Sequence, residues 1–95
     1  MSETVANIER FRRGVDAIMA YNSTVDLPER WHINAVAVTK LVGGRSPSAQ
    51  EYLASRRAEI EAHHHKYRLL PGHNRGKTMA ITECVVVPDP QPAGQ

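Results

Sequence analysis

Arg45, Ser46, Ser48 and Gln50 fall within one short stretch of the chain, and their side chains are of the types that read nucleic acid. A guanidinium offers a bidentate donor pair to guanine, and a carboxamide can pair with adenine. The two hydroxyls can bond phosphate, together with free backbone amides if a helix begins here. The plainer reading of the same residues is a helix cap at Ser46 and a solvated Gln50.

Charge points the same way. Residues 45–77 hold seven basic side chains (Arg45, Arg56, Arg57, Lys66, Arg68, Arg75, Lys77) against Glu51, Glu59 and Glu61, a balance of +4. Residues 1–44 balance to zero, and the rest of the chain is slightly acidic. A basic segment of this kind suits a phosphate-binding face, with Arg56, Arg57, Lys66 and Arg68 as the phosphate candidates. A solvated surface with an uneven scatter of arginine is the competing explanation. Further on, His73-Asn74-Arg75-Gly76-Lys77 is a polar loop without an apolar residue. Asn74, Arg75 and Lys77 are candidates there for phosphate or minor-groove contact, unless the loop is merely a polar hairpin tip.

His63-His64-His65 raises the question of a metal. Histidines that share a metal from one helix are three or four residues apart, so adjacent ones splay around the axis. His64 or His65 with His73 and Cys84 would need folding to meet, and nothing in the spacing specifies it. Serines, histidines and one cysteine are present, but no nucleophile sits in a recognisable motif. Neither catalysis, a metal nor a cofactor is expected.

These groups need elements to hold them. Val5, Ile8, Phe11, Val15, Ile18 and Met19 recur at three- and four-residue steps, predicting an amphipathic helix over 3–21 with Ser2 or Thr4 as its cap. Asn22 to Arg30 reads as a loop, and Trp31-His32-Ile33 as a short extended segment. Asn34 can cap a helix to about Val42, with Val36, Leu41 and Val42 on its apolar face. Gly43-Gly44 stops it, Ser46 caps the next helix, and Pro47 opens it. Ala49, Tyr52, Leu53 and Ile60 form the inward stripe of this helix, which continues or restarts after Ser55 and runs to about Lys66. Tyr67 to Leu70 and Thr78 to Val87 read as the arms of a β-hairpin whose basic tip is a wing. Pro88 to Gln95 reads as a disordered tail.

The expected fold is therefore mainly α: a winged helix-turn-helix of three or four helices with a C-terminal β-hairpin, one domain over 1–87. The sequence shows no secretory signal and no stretch apolar enough to span a bilayer. One cysteine excludes an internal disulfide framework. Cytoplasmic location and no membrane partner are the corresponding expectations.

The pattern Ile18-Met19-Ala20-Tyr21-Asn22, Arg30-Trp31-x-Ile33, Leu41-x-Gly43, Ile60-x-x-His63-His64-x-Lys66-Tyr67-x-Leu69 and His73-Asn74-Arg75 resembles accessory DNA-binding domains. Such domains occur in telomere-resolvase-like (protelomerase-like) and tyrosine-recombinase-like proteins of plasmids and phages. The resemblance covers about residues 15–77. It implies a helix-turn-helix domain attached to a larger DNA-processing enzyme, whose catalytic arginines and tyrosine lie elsewhere. Tyr21, Tyr52 and Tyr67 are not nucleophiles by association. Double-stranded DNA is the expected partner, for a targeting domain of a recombination or resolution enzyme or for a small phage or plasmid regulator. A homodimer or a parent catalytic domain would complete it. The alternative is a protein-interaction or dimerisation module on the same scaffold without DNA contact.

Overall fold

A computed structural model describes the backbone of residues 3–87 and the side chains of residues 7–87. The expectations for Ser2, Thr4, Val5 and the segment 88–95 lie outside the described residues. Among the described residues five helices follow in order: α1 (Glu3–Asn22), α2 (Ala35–Val42), α3 (Ser46–Ser55), α4 (Arg57–Tyr67) and α5 (Ile81–Cys84). A 3-10 turn, Leu27–Glu29, sits between α1 and α2.

On α1 the helical period buries Phe11, Val15 and Ile18, while Ile8 stays half exposed. Helix α2 packs across α1 and against α3. A Cβ on Gly14 would come within 2.9 Å of Val42 Cγ1, so the missing side chain lets α1 and α2 approach closely. Asn34 caps α2 as its sequence suggests, its side chain accepting from the Ala37 amide at 2.8 Å. The apolar face of α2 is not the expected one. Ala35, Ala37 and Val38 are buried, Leu41 and Val42 pack at the edge, and Val36 is 58% exposed.

Gly43-Gly44-Arg45 links α2 to α3. The cap of α3 falls one residue earlier than expected: Arg45 occupies the N-cap with extended backbone, and Ser46 is already helical. Ala49 and Tyr52 of α3 are buried, and the Tyr52 ring lies 6.1 Å from that of Phe11, tilted at 41°. Helix α4 is a restart rather than a continuation, because Arg56 (φ −116°, ψ 22°) interrupts the helical backbone. Its one fully buried residue is Ile60.

The C-terminal half departs from expectation most. Among the described residues there is no β-strand, so the hairpin and its wing are absent. Tyr67 ends α4, and Ile81–Cys84 is a helical turn where a strand was expected. Ile81 and Val85 lie four residues apart, both 2% exposed, and α5 packs on α2. In a strand Glu83 would share their face, whereas the helical turn brings Ile81 and Val85 together and leaves Glu83 exposed, which overrides the strand propensity of Thr82 and the valines. Glu83 stabilises the turn by accepting from the Ala80 amide at 3.1 Å.

Candidate nucleic-acid interface

On α3, one side is buried by Ala49 and Tyr52, so Ser46, Pro47, Gln50, Glu51 and Ala54 form the outward side. Ser46 and Gln50 line an open groove of about 590 Å³, with His32 and Asn34 before α2 and Arg57, Glu61 and His64 on α4 as further walls. The N-termini of α2 and α3 therefore open on one groove, each contributing the partial positive charge of unpaired amides. Ser48 is half-buried and faces away from it, toward the core side.

A second depression, about 520 Å³, is lined by Lys40, Arg75 and Lys77 together with Asn34 and Val36. Asn34 and Val36 border both, which makes the start of α2 a ridge between them. The loop that carries Arg75 thus lies across that ridge from α3.

The basic candidates divide sharply. Arg45 and Arg57 are exposed and make no ion pair among the described residues. Lys66 and Arg68 are also exposed, Lys66 with its ammonium 5.4 Å from the Tyr67 ring. Arg68 ends α4 in the left-handed region (φ 60°), a conformation that favours glycine. Arg56 is different. Its guanidinium meets Asp16 at 3.0 Å, Glu59 at 2.6 Å and the Tyr52 hydroxyl at 2.9 Å, with the side chain 17% exposed. The hydrogen bond to Glu59 leads the causes that raise its pKa, against opposing desolvation. Arg56 fastens the start of α4 to α1.

The loop residues divide too. Asn74 Oδ1 accepts from the His32 amide at 2.8 Å and its Nδ2 donates to the His32 carbonyl at 2.9 Å, so the carboxamide pairs with backbone. Lys77 donates to the Pro28 carbonyl at 2.9 Å and sits 4.7 Å over the Trp31 ring. Burial lowers its pKa. His73 Nε2 lies 2.9 Å from the Leu27 carbonyl. The loop is pinned at three points, and among its basic residues only Arg75 is left exposed.

Sequence reasoning missed a buried polar cluster behind the groove. Asn22 is 0% exposed, accepts from the Trp31 amide at 2.8 Å and donates to the Trp31 carbonyl at 2.9 Å. Its second Nδ2 hydrogen faces His63 Nε2 at 3.0 Å. His64 Nε2 accepts from the Ile33 amide at 3.0 Å, and its ring stacks on His32 at 4.0 Å. Desolvation lowers the pKa of His32, His63 and His64, the last to about 4 with help from the neighbouring imidazoles. The signal was present: His63 and His64 follow the buried Ile60 by three and four residues, which places them on its face. The lone pairs of both Nε2 atoms are engaged. Among the described residues, no group of three or more His, Cys, Asp or Glu is disposed to hold a metal, and no helix is long and apolar enough to cross a membrane.

Compared with protein-family models, with curated proteins and with solved structures, the chain matches none.

Proposed function

We propose that this chain binds double-stranded DNA through α2 and α3 as a wingless helix-turn-helix, with α3 presented to the major groove. The observation that carries this reading is the outward face of α3. It is polar where it meets solvent (Ser46, Gln50, Glu51), apolar where it meets the core (Ala49, Tyr52), and flanked by the unpaired Arg45 and Arg57. Two helix N-termini converge on the same groove and favour phosphate there. In this arrangement Gln50 and Arg45 reach base edges, and Ser46 and Arg57 hold the backbone. Arg75, Lys66 and Arg68 supply peripheral phosphate contacts.

The resemblance of residues 15–77 to accessory domains of plasmid and phage recombination proteins extends the proposal to a setting. The domain would target a recombination or resolution enzyme, or act alone as a small regulator.

A second reading, protein interaction or dimerisation, is favoured by one observation. Val36 and Met79, 58% and 52% exposed, line the same depression. Fluorescence anisotropy with a random-sequence duplex separates the two. DNA binding predicts saturable binding at low salt that weakens steeply as salt rises, because cations displace condensed counterions. An affinity indifferent to salt, or no binding at low salt, would reject it. A mass that doubles with concentration while DNA is ignored would favour the second reading.

A further inference from the structure

His64 is held by the backbone in a way that fixes which of its nitrogens carries hydrogen. The Ile33 amide donates to Nε2 at 3.0 Å, so Nε2 must be the unprotonated, accepting nitrogen. In the neutral ring the hydrogen then sits on Nδ1. No group among the described residues accepts from that Nδ1, and it is not among the buried polar atoms left without a partner. It is therefore open to solvent, on a residue that lines the groove beside Ser46, Gln50 and Arg57. The ring cannot turn freely to hide it, because His32 stacks on it with planes 20° apart. Asn74 in turn fixes His32 through both of its backbone groups.

We propose that His64 is a DNA-contacting residue of the α3 groove, its Nδ1–H donating a neutral, pre-oriented hydrogen bond to an acceptor atom of bound duplex DNA. This rests on the DNA-binding reading above and adds a contact that arginine cannot make. A neutral donor brings no counterion release, so it affects affinity without changing the salt dependence. The acceptor is a base-edge nitrogen or oxygen, or a phosphate oxygen. The two are told apart by sequence: a base-edge acceptor makes His64 matter only for some sequences, a phosphate acceptor for all alike.

His64→Gln separates the two functions of the ring. A glutamine carbonyl reaches roughly where Nε2 lies and can still accept from the Ile33 amide, but it has nothing at the Nδ1 position. Thermal unfolding of this variant should stay near wild type, while His64→Ala, which leaves the Ile33 amide unpaired, should unfold earlier. Duplex affinity of His64→Gln should fall about five- to tenfold, the loss expected for one neutral hydrogen bond, with the salt slope unchanged. Arg57→Ala should instead reduce the slope. Long-range proton–nitrogen NMR of the free protein should show the Nδ1–H tautomer at His64, and its shift should move when duplex is added. A wild-type protein that ignores duplex overturns the DNA-binding reading and this inference with it. A wild type that binds, with His64→Gln binding equally or the Nε2–H tautomer found, overturns the role of His64 alone.

Discussion

Asn22 Nδ2 lies 3.0 Å from His63 Nε2, while its other hydrogen goes to the Trp31 carbonyl and its Oδ1 accepts from the Trp31 amide. The imidazole can therefore only accept, and must be neutral to do so. The pair joins the end of α1 to α4 and holds the Trp31 segment from which α2 and the groove wall start. A single buried amide thus couples three parts of the chain that are distant in sequence.

Replacing Asn22 tests that coupling. Asn22→Ala leaves the Trp31 amide and carbonyl without partners inside the protein and should destabilise it by about 2–4 kcal/mol. The chain has one tryptophan, so Trp31 fluorescence during denaturant unfolding reads the loss directly. Asn22→Asp keeps an acceptor for the Trp31 amide but turns the partner of His63 into a carboxylate. The His63 pKa should then rise by NMR titration, where in the wild type it is lowered, chiefly by burial. A His63 that titrates identically in both proteins would contradict the contact.

Acid should loosen the same region. His32, His63 and His64 all have pKa values lowered by burial, with Lys66 and Arg30 adding to the effect at His63, and His73 at His32. Between the ordinary histidine value of 6.5 and the folded value of about 4 at His64, the unfolded chain binds more protons than the native one. The stabilisation is therefore complete above about pH 6.5 and is lost as pH falls toward 4. For His64 the loss should be roughly 1–2 kcal/mol, less than full linkage because the ring is only partly buried. Denaturant midpoints from pH 7.5 down to 4.5 check it. In His64→Gln the fall should be shallower; an equal slope would assign the proton uptake elsewhere.

Neighbouring arginines should behave oppositely. Arg56 bridges Asp16, Glu59 and the Tyr52 hydroxyl, so Arg56→Ala should lose stability by about 1–2 kcal/mol. Any loss of DNA affinity would follow from that. Arg57 is exposed and unpaired, so Arg57→Ala should leave the unfolding midpoint within about 0.5 kcal/mol of wild type while weakening duplex binding. Melting curves and anisotropy on both variants decide it. Equal effects on binding at equal stability would remove the distinction.

That contrast marks where the sequence stops being informative. The outward face of α3 is legible, because Ala49 and Tyr52 alternate with Ser46 and Gln50 at helical spacing. Asn34 is legible as a cap, and Gly43-Gly44 as a stop. Which of two adjacent arginines is free depends on Asp16, a residue on α1 that reaches Arg56 only in the folded chain. The polar loop at 73–77 reads as unattached for the same reason. Its partners are the backbone carbonyls of Leu27 and Pro28, the backbone of His32 and the face of the Trp31 ring, and no charge or motif in the sequence marks them as such. The wing failed on a competition between local and tertiary preference. Thr82 and the three valines at 85–87 favour a strand, but the surface of α2 is covered by Ile81 and Val85 from one helical turn, which keeps Glu83 out of the contact as a strand would not.

The turn before α3 gives the most direct test of how α3 is aimed. Gly44 has φ 97°, and a Cβ there would lie 2.8 Å from the Phe11 ring, which is itself 1% exposed and cannot step aside. Gly43 has φ 80°, but a Cβ there would meet nothing within 4 Å. Gly43→Ala should therefore carry only the cost of its positive-φ, extended-ψ backbone (φ 80°, ψ −169°), about 1–3 kcal/mol. Gly44→Ala should add overpacking against Phe11, for a total of roughly 2–5 kcal/mol. Phe11→Leu removes the ring edge that the new methyl would strike, so it should recover part of the loss in Gly44→Ala and none in Gly43→Ala. A double-mutant cycle by thermal unfolding measures this coupling. Additive effects at both positions would mean that Phe11 does not set the path of the turn. Coupling confined to Gly44 would tie the seating of α3 to the core of α1.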